Sequence, residues 1–288
     1  MTTACTINSV DIATLGALIL RGGDHDLISF PARKEPVIIE WPDRDGFEIG
    51  DDEPVFDAKK VTIDYHLKGD ETNFLNRLNA FANLHFQATD DLPVYVREFN
   101  ATFNLRFTGI SKLDINRGIT RTGEKAARIS VNYMMDDPAH PFNPAQTTPT
   151  ADREPETQVT IDTVDLAAFG IIVKNVYSSA LRFDAKPGIV YKSRYATGNN
   201  VIYPSVQKQN ARKITLNCAM VCAGRTGFLE NWNALWYAAA LQPSVTLGLT
   251  AAGKNFTAYY TAMDNFNKRP WTRRAFAEFE LLFSGYEI

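Results

Sequence analysis

The chain contains an internal repeat, which limits the folds open to it more than any other feature. Residues 7–16 (INSVDIATLG) and residues 161–170 (IDTVDLAAFG) agree in residue type at nearly every position. Four further blocks recur in the same order and at similar spacing: 58–64 with 211–217, 74–80 with 228–234, 103–108 with 256–261, and 128–134 with 276–282. Ordered agreement of this kind is far beyond chance and indicates two tandem copies of one domain.

We predict that the copies occupy residues 1–135 and 157–288, because the segment between them differs in composition. Residues 136–156 form the predicted linker, DDPAHPFNPAQTTPTADREPE. Its proline and small polar residues favour extended backbone and cannot build a core. A chain of 288 residues suits two domains of ordinary size, about 100 to 150 residues each. A linker of this length leaves the relative placement of the domains open.

Hydrophobic periodicity within a copy predicts strands around one helix. Apolar residues alternate with polar ones in three segments, as in half-buried antiparallel strands: Val61, Ile63, Tyr65; Phe103, Leu105, Phe107; and Ile129, Val131, Tyr133. Residues 70–86 have apolar residues three and four positions apart, which predicts an amphipathic helix: Phe74, Leu75, Leu78, Phe81, Ala82 and His85. Residues 226–240 repeat the pattern: Phe228, Leu229, Trp232, Leu235, Trp236 and Ala239. Each copy is predicted to be a β-sandwich or split barrel with one packed helix, so the fold class is α+β, mainly β.

Composition is typical of a folded protein without a membrane segment. Hydrophobic residues make up 45% of the chain and charged residues 22%, which are ordinary values for a globular protein. No stretch approaches the roughly 18 to 20 apolar residues of a membrane helix. Residues 1–11 lack the basic start and apolar core of a signal peptide. We therefore expect no membrane association and a protein made and kept in the cytoplasm.

The three cysteines, Cys5, Cys218 and Cys222, are too few for a disulfide framework, and an odd number fits a reducing compartment. Cys218 and Cys222 lie four positions apart in an apolar strand and therefore share a face. They could form a metal-binding pair. Buried free thiols are the preferred interpretation, because no histidine or second cysteine pair follows.

The two copies carry opposite charge. Residues 1–149 contain 15 basic and 22 acidic side chains, a net charge of −7, whereas residues 150–288 contain 15 and 11, a net charge of +4. Opposite charges on similar domains favour contacts between unlike neighbours. The distribution argues against a nucleic-acid reader, which would have a concentrated basic face.

Two acidic segments are candidates for metal sites. If Gly46 occupies the sixth place of a calcium loop, the first ligand position falls on Trp41, which has no suitable oxygen. A turn shaped by Pro42 and Gly46 is therefore preferred for residues 43–53. Asp24-His25-Asp26 could form a metal cluster or a catalytic pair, but it follows two glycines, and a hairpin turn with solvated charges is preferred.

No sequence pattern supports catalysis or cofactor binding. The chain lacks a G-x-S-x-G nucleophile elbow, a phosphate-binding loop and a dinucleotide fingerprint, and three of its histidines are scattered: His66, His85 and His140. We therefore expect a protein that is not an enzyme and has no catalytic, cofactor-binding or metal-binding residues.

The most basic cluster comprises Lys268-Arg269, Arg273 and Arg274, beside Trp271. Basic residues with an aromatic neighbour could stack on nucleic-acid bases. The preferred interpretation is a hairpin tip between two strands, whose charges are solvated or paired with an acidic neighbour.

The first copy resembles the distal tail protein family of long-tailed bacteriophages, whose N-terminal domain shares its fold with tail tube and baseplate hub proteins. The resemblance rests on the opening INSVD with Gly16, the turn WPDRDG at residues 41–46, the strand at 59–67 and the helix at 70–86. The second copy matches the first but has residues 195–200 in place of the Asp-Gly turn. Two such domains in one chain depart from the family's usual arrangement and resemble hub and tube proteins in which three chains supply six domains.

The resemblance implies a structural component of a phage or phage-derived (prophage) tail, a distal tail or baseplate protein that joins tube to tip. It implies a homo-oligomeric ring, either a trimeric pseudo-hexamer or a hexamer, in contact with tail tube and hub or tip proteins. Double-stranded DNA would pass through the ring without specific binding. Two alternatives are a tail tube or contractile-injection tube subunit and a carbohydrate-binding adhesin module. The adhesin alternative would need exposed aromatic residues, whereas Trp232 and Trp236 lie on the apolar stripe of the predicted helix.

Overall fold

The computed structural model describes residues 4–41, 45–50, 52–70, 72–87, 90–116, 124–139, 141–142, 145–151, 158–182, 186, 189–191, 200–202, 208–269, 271 and 273–288. Of the segments singled out above, residues 42–44, 51, 71, 140, 143–144, 152–156 and 195–199 lie outside these ranges. Over the described residues the protein is mainly β, with two seven-stranded antiparallel sheets and few helices. The predicted class, α+β and mainly β, is confirmed.

The first sheet has the strand order β2-β1-β7-β8-β9-β6-β3. Its long strands lie at the centre and its short ones at the edges, and every neighbouring pair is antiparallel. The strands are β1 (Cys5–Ile7), β2 (Val10–Asp11), β3 (Ala17–Ile19), β6 (Lys59–Asp70), β7 (Leu92–Val96), β8 (Ala101–Asn116) and β9 (Glu124–Met135). A separate hairpin pairs β4 (Ile38–Ile39) with β5 (Glu48–Ile49).

The second sheet has the corresponding order, β11-β10-β16-β17-β18-β15-β12. Its strands are β10 (Val159–Ile161), β11 (Val164–Asp165), β12 (Ile171–Asn175), β15 (Arg212–Ala223), β16 (Val245–Leu249), β17 (Lys254–Arg269) and β18 (Arg274–Glu287). A second small hairpin pairs β13 (Ile189–Tyr191) with β14 (Asn200–Ile202). The equivalence extends to irregularities, because a β-bulge falls at Thr108 in β8 and at Thr261 in β17. The last repeated block is displaced by two residues from the sequence match: Tyr65 pairs with Ile129 and the equivalent Cys218 with Phe279, so residues 128–134 correspond to 278–284. We call residues up to 135 the first half and residues from 157 the second half; these predicted boundaries stay a prediction.

Each sheet carries the predicted helix. Helix α1 (Phe74–Phe86) lies in the first half and α3 (Gly224–Leu235) in the second, where a π-helical turn, Trp236–Ala240, continues it. A short helix, α2 (Tyr177–Ala180), follows β12. The predicted start at residue 70 was wrong, because Asp70 belongs to β6 and its carboxylate accepts a hydrogen bond from the Asn73 backbone N–H at 2.8 Å.

The repeated opening motif forms the same turn in both halves. Asp11 accepts a hydrogen bond from the Ala13 N–H at 2.9 Å, and Asp165 accepts one from the Ala167 N–H at 2.7 Å. Each caps a 3₁₀ turn that ends at a glycine with positive φ, Gly16 at +73° and Gly170 at +75°. A side chain at Gly16 would meet the Lys68 carbonyl oxygen at 2.2 Å, so both the φ angle and the packing require glycine.

The predicted apolar stripes largely form the core. In α3, Phe228, Trp232 and Leu235 are buried. In α1, Phe74, Phe81 and His85 are buried, but Leu75 is 62% exposed and was wrongly assigned to the core stripe. The three cysteines are buried and free, which confirms the buried thiols predicted for Cys218 and Cys222. No helix among the described residues is long and apolar enough to cross a membrane.

The predicted linker contributes to the core, contrary to the expectation from its composition. Phe142 is 5% exposed and stacks on Trp236 with ring centroids 4.5 Å apart. The backbone N–H groups of Thr150 and Ala151 donate to the Asn231 side chain at 2.8 and 3.1 Å. Phe142, Thr150 and Ala151 of the predicted linker therefore pack against the second half rather than extending into solvent.

Candidate functional site: the contact between the two sheets

An ion cluster joins the two halves. Lys268 on β17 is 3% exposed, and its Nζ lies 3.0 Å from Asp24 Oδ1 and 2.9 Å from Glu98 Oε1. The same ammonium lies over the rings of Phe99 and Trp271, at 4.7 and 5.0 Å from their centroids. Burial raises the pKa of Asp24, and the Lys268 charge opposes that rise. The second half supplies the cation and the first half both carboxylates.

The ion cluster shows that one prediction of solvated charges was wrong and decides between the two alternatives given for Lys268. The Asp24-His25-Asp26 segment was predicted to be solvated, but Asp24 is 1% exposed because it packs against the second sheet. Asp26 accepts a hydrogen bond from the Thr62 N–H at 3.1 Å. The basic cluster at Lys268 was predicted to be solvated or paired with an acidic neighbour, and Lys268 is paired and buried.

Aromatic packing extends the contact. Phe30 is buried among rings of the second half, with centroids 4.6 Å from Trp232, 5.0 Å from Trp236 and 6.4 Å from Tyr260. The Trp232 indole N–H donates to the Ile28 carbonyl at 2.8 Å. Both tryptophans are 1% exposed, as predicted for core residues, but no local sequence pattern indicates that they pack against the first half.

Hydrogen bonds to backbone carbonyls hold residues 31–33 against β17. The Arg33 N–H donates to the Thr261 carbonyl, at the bulge of β17, at 2.8 Å. The Tyr260 hydroxyl donates to the Pro31 carbonyl at 3.0 Å. Residues 24–33 of the first half, which we call the covering segment, therefore lie across one face of β17.

The turn at residues 45–46 makes a second contact between the halves. The Asp45 carboxylate accepts a hydrogen bond from the Gln209 N–H at 2.7 Å. Gly46 has φ +68°, and a Cβ there would meet the Tyr286 ring at 2.1 Å. Residues 45–46 form a bend between β4 and β5, which agrees with the predicted turn between two strands, whereas Pro42 lies outside the described residues. Within the described chain no group of three or more possible ligands could hold a metal ion.

The equivalent face of the first sheet is open. Ile110, Leu113 and Ile115 on β8 are 37%, 47% and 43% exposed; we call these three residues the open strip. They pair with Val131, Ile129 and Ala127 of β9, all three of which are buried. Because directly opposed residues of an antiparallel pair share a face, the open strip lies on the core side of the sheet.

A buried polar network lies inside the first half. The His85 Nδ1–H donates to the Phe81 carbonyl at 2.9 Å, so Nε2 accepts from the Tyr133 hydroxyl at 2.7 Å. The Tyr133 oxygen then accepts from the Tyr65 hydroxyl at 3.1 Å. Burial lowers the pKa of His85 and raises the pKa of both tyrosines. The sheet and α1 enclose the network, and all three side chains are buried.

The fold and these surfaces define a protein of two helix-bearing antiparallel sheets held together by a polar and aromatic contact. No protein-family model and no curated protein matches the chain. Among solved structures, the chain is similar to the SPP1 Dit protein, described as a paradigm of the hub adsorption apparatus in phages that infect Gram-positive bacteria. The match covers 99% of this chain and 98% of that chain, with 11% sequence identity and a TM-score of 0.33.

Proposed function

We propose that this protein is a structural component of a phage or phage-derived tail, at the distal end or baseplate, and has no catalytic role. The observation that carries the proposal is the pair of sheets with one strand order, in which the first half covers the β17 face and the matching β8 face stays open. Such repeated units in unlike contact can continue around a closed ring. The sequence resemblance to distal tail proteins supports the same role.

In this proposal the ring surrounds a channel for double-stranded DNA and joins the tail tube to hub or tip proteins. Each chain would contribute two similar domains, so that three chains form a pseudo-hexamer or six chains form two layers. A lumen without concentrated basic charge would let DNA pass, because phosphate neutralisation would hold it in place. The protein would be made in the cytoplasm of the bacterial host and would act in the virion tail.

The test is the mass of the purified protein across a concentration range, followed by negative-stain imaging of any oligomer. A ring of three or six chains with a central hole supports the proposal. Long tubes at high concentration would instead identify a tail tube or contractile-injection tube subunit. A monomer at every concentration, together with binding in a glycan screen, would contradict the proposal and favour a carbohydrate-binding module.

A further inference from the structure

The open strip and the covered face of β17 occupy equivalent places. Ile110 corresponds to Met263 and Ile115 to Lys268, because they pair with equivalent residues: Val131 and Leu281 for the first two, Ala127 and Ala277 for the second two. Leu113 and Phe266 lie two residues before the second pair, although the second bulge of each strand falls at a different place. In the second sheet these positions lie beneath the covering segment: the Phe30 N–H lies 3.5 Å from the Met263 sulfur, and Lys268 is bound by Asp24 and Glu98. In the first sheet the same apolar face is exposed at the three residues of the open strip.

The second half has its own counterpart of the covering segment. The Ser179 hydroxyl accepts from the Thr215 N–H at 3.0 Å, as Asp26 does from Thr62. Arg212 donates to the Ala180 carbonyl at 2.8 Å, as Lys59 donates to the Leu27 carbonyl at 3.5 Å. Residues 177–181 therefore correspond to residues 24–28 and end in Leu181 where the first half has Ile28.

The two contacts differ in charge at every position of the ion cluster. Tyr177 stands where the first half has Asp24, Ala251 stands where it has Glu98, and Ile115 stands where the second half has Lys268. Two carboxylates and one ammonium are thus replaced together by three uncharged side chains. The chain has an ionic version of the contact, which is made within the molecule, and an apolar version, whose strand face is exposed.

We propose that the open strip of one chain binds residues 177–181 and the turn at 250–252 of a second copy of this chain, in the arrangement that the covering segment adopts on β17. This inference rests on the proposed ring and names the contact that closes it. Halves would then alternate around the ring, with ionic contacts inside each chain and apolar contacts between chains.

The difference in charge between the two contacts also disfavours pairing between two first halves or between two second halves. A first half placed on another first half would bury Asp24 and Glu98 against Ile115 without a cation. A second half placed on another second half would bury Lys268 without a carboxylate. A buried unpaired charge is strongly unfavourable, and such repulsive elements are what specificity between similar surfaces requires.

Sedimentation velocity across a concentration range tests the inference with four variants of the full chain. Ile115→Lys places an unpaired ammonium in the proposed contact and should weaken assembly by roughly 100-fold or more. Ala251→Glu alone, on an exposed turn, should weaken it in the same way. The double variant I115K/A251E recreates the Lys268–Glu98 pair and should restore the oligomer. Thr102→Lys, on an exposed position of β8, is the matched control and should assemble like the parent chain.

Circular dichroism of each variant checks that a loss of assembly does not reflect a loss of folding. Restored assembly of the double variant is a second control, because a misfolded chain would not regain assembly when a second charge is added. If the parent chain forms rings and I115K forms them equally well, this contact is wrong and the proposed function stands. If each single variant weakens assembly but the double variant fails to restore it, the pairing of the open strip with residues 250–252 is wrong. A parent chain that stays monomeric at every concentration overturns the inference, whereas the proposed function is contradicted only if the monomer also binds in the glycan screen.

Discussion

The two halves use one backbone plan with different interiors. The first half buries the polar network of Tyr65, His85 and Tyr133. The equivalent positions of the second half are also buried, but they are apolar except for one weakly polar thiol: Cys218, Ala239 and Phe283. The same sheet order therefore accommodates a hydrogen-bonded interior and an apolar one. Strand pairing and helix position depend on the hydrophobic pattern, and the chemistry of individual core positions is free to differ.

The outer faces differ as much as the interiors. The face of β17 is covered by the first half through Phe30 and Asp24, whereas the face of β8 is open. The second half consequently depends on the first for part of its core. We infer that the second half is less stable by itself than the first, because truncation would expose Trp232 and Trp236 and leave Lys268 unpaired.

Removing the buried ammonium of Lys268 should cause the largest loss of stability, because it breaks the contact by which the first half covers β17. Lys268→Ala leaves Asp24 and Glu98 without their partner at a buried position, and we expect a loss of about 3 to 5 kcal/mol in the free energy of unfolding. Lys174→Ala is the matched control, because Lys174 pairs with Glu278 at the surface with its side chain 52% exposed, and should cost less than about 1 kcal/mol. Urea unfolding measures both. Equal losses would mean that the cluster does not hold the halves together.

Truncating an apolar side chain should destabilise the protein more on the covered face of β17 than at the equivalent position on the open face of β8. Phe266→Ala removes a ring packed against Trp232 and Phe279, at centroid distances of 5.2 and 6.4 Å, and should cost about 2 to 4 kcal/mol. Leu113→Ala removes a side chain from a residue that is 47% exposed and should cost less than about 1 kcal/mol in the monomer. Thermal unfolding at a concentration where the chain is monomeric provides the comparison; a larger loss for L113A would show that the strip is covered within one chain.

The sequence predicts those parts of the fold that depend on local pattern. Alternation located β6, β8 and β9, and the three-to-four spacing located α1 and α3. The start of α1 was placed too early because Asp70 and Asn73 form a local turn that resembles helix-capping chemistry. Periodicity also could not show that Leu75 lies beside the buried stripe rather than in it.

The candidate site depends on contacts between distant residues and was missed for that reason. Asp24 and Lys268 each lie beside local turn residues, and a charged residue after two glycines is usually solvated. Nothing local shows that these two side chains meet in a buried contact. The available indication was the opposite net charge of the two halves, and the buried pair is consistent with it. Comparing equivalent positions of the repeat would have drawn attention to Lys268, because Ile115 stands at its counterpart.

The polar interior of the first half should make its stability depend on pH, with a smaller effect than the truncations above. His85 is neutral when buried, and its pKa is lowered by that burial, whereas an unfolded histidine has a pKa near 6.5. The unfolded chain therefore binds more protons than the folded chain as the pH falls below about 6.5, and stability is lost in that direction. The contribution is fully present above the unfolded pKa and should amount to something on the order of 1 kcal/mol between pH 7.5 and 5.5.

Urea midpoints of the parent chain and His85→Gln at the two pH values isolate this contribution. The variant lacks the titrating ring while its side-chain amide can still accept from Tyr133, so its midpoint should change less between pH 7.5 and 5.5. Carboxylates such as Asp24, whose pKa is raised by burial, titrate in both proteins and cancel in the difference. The second half has Ala239 at this position, so no equivalent histidine contributes from that sheet. Parallel midpoint shifts in the two proteins would place the pH dependence in groups other than His85.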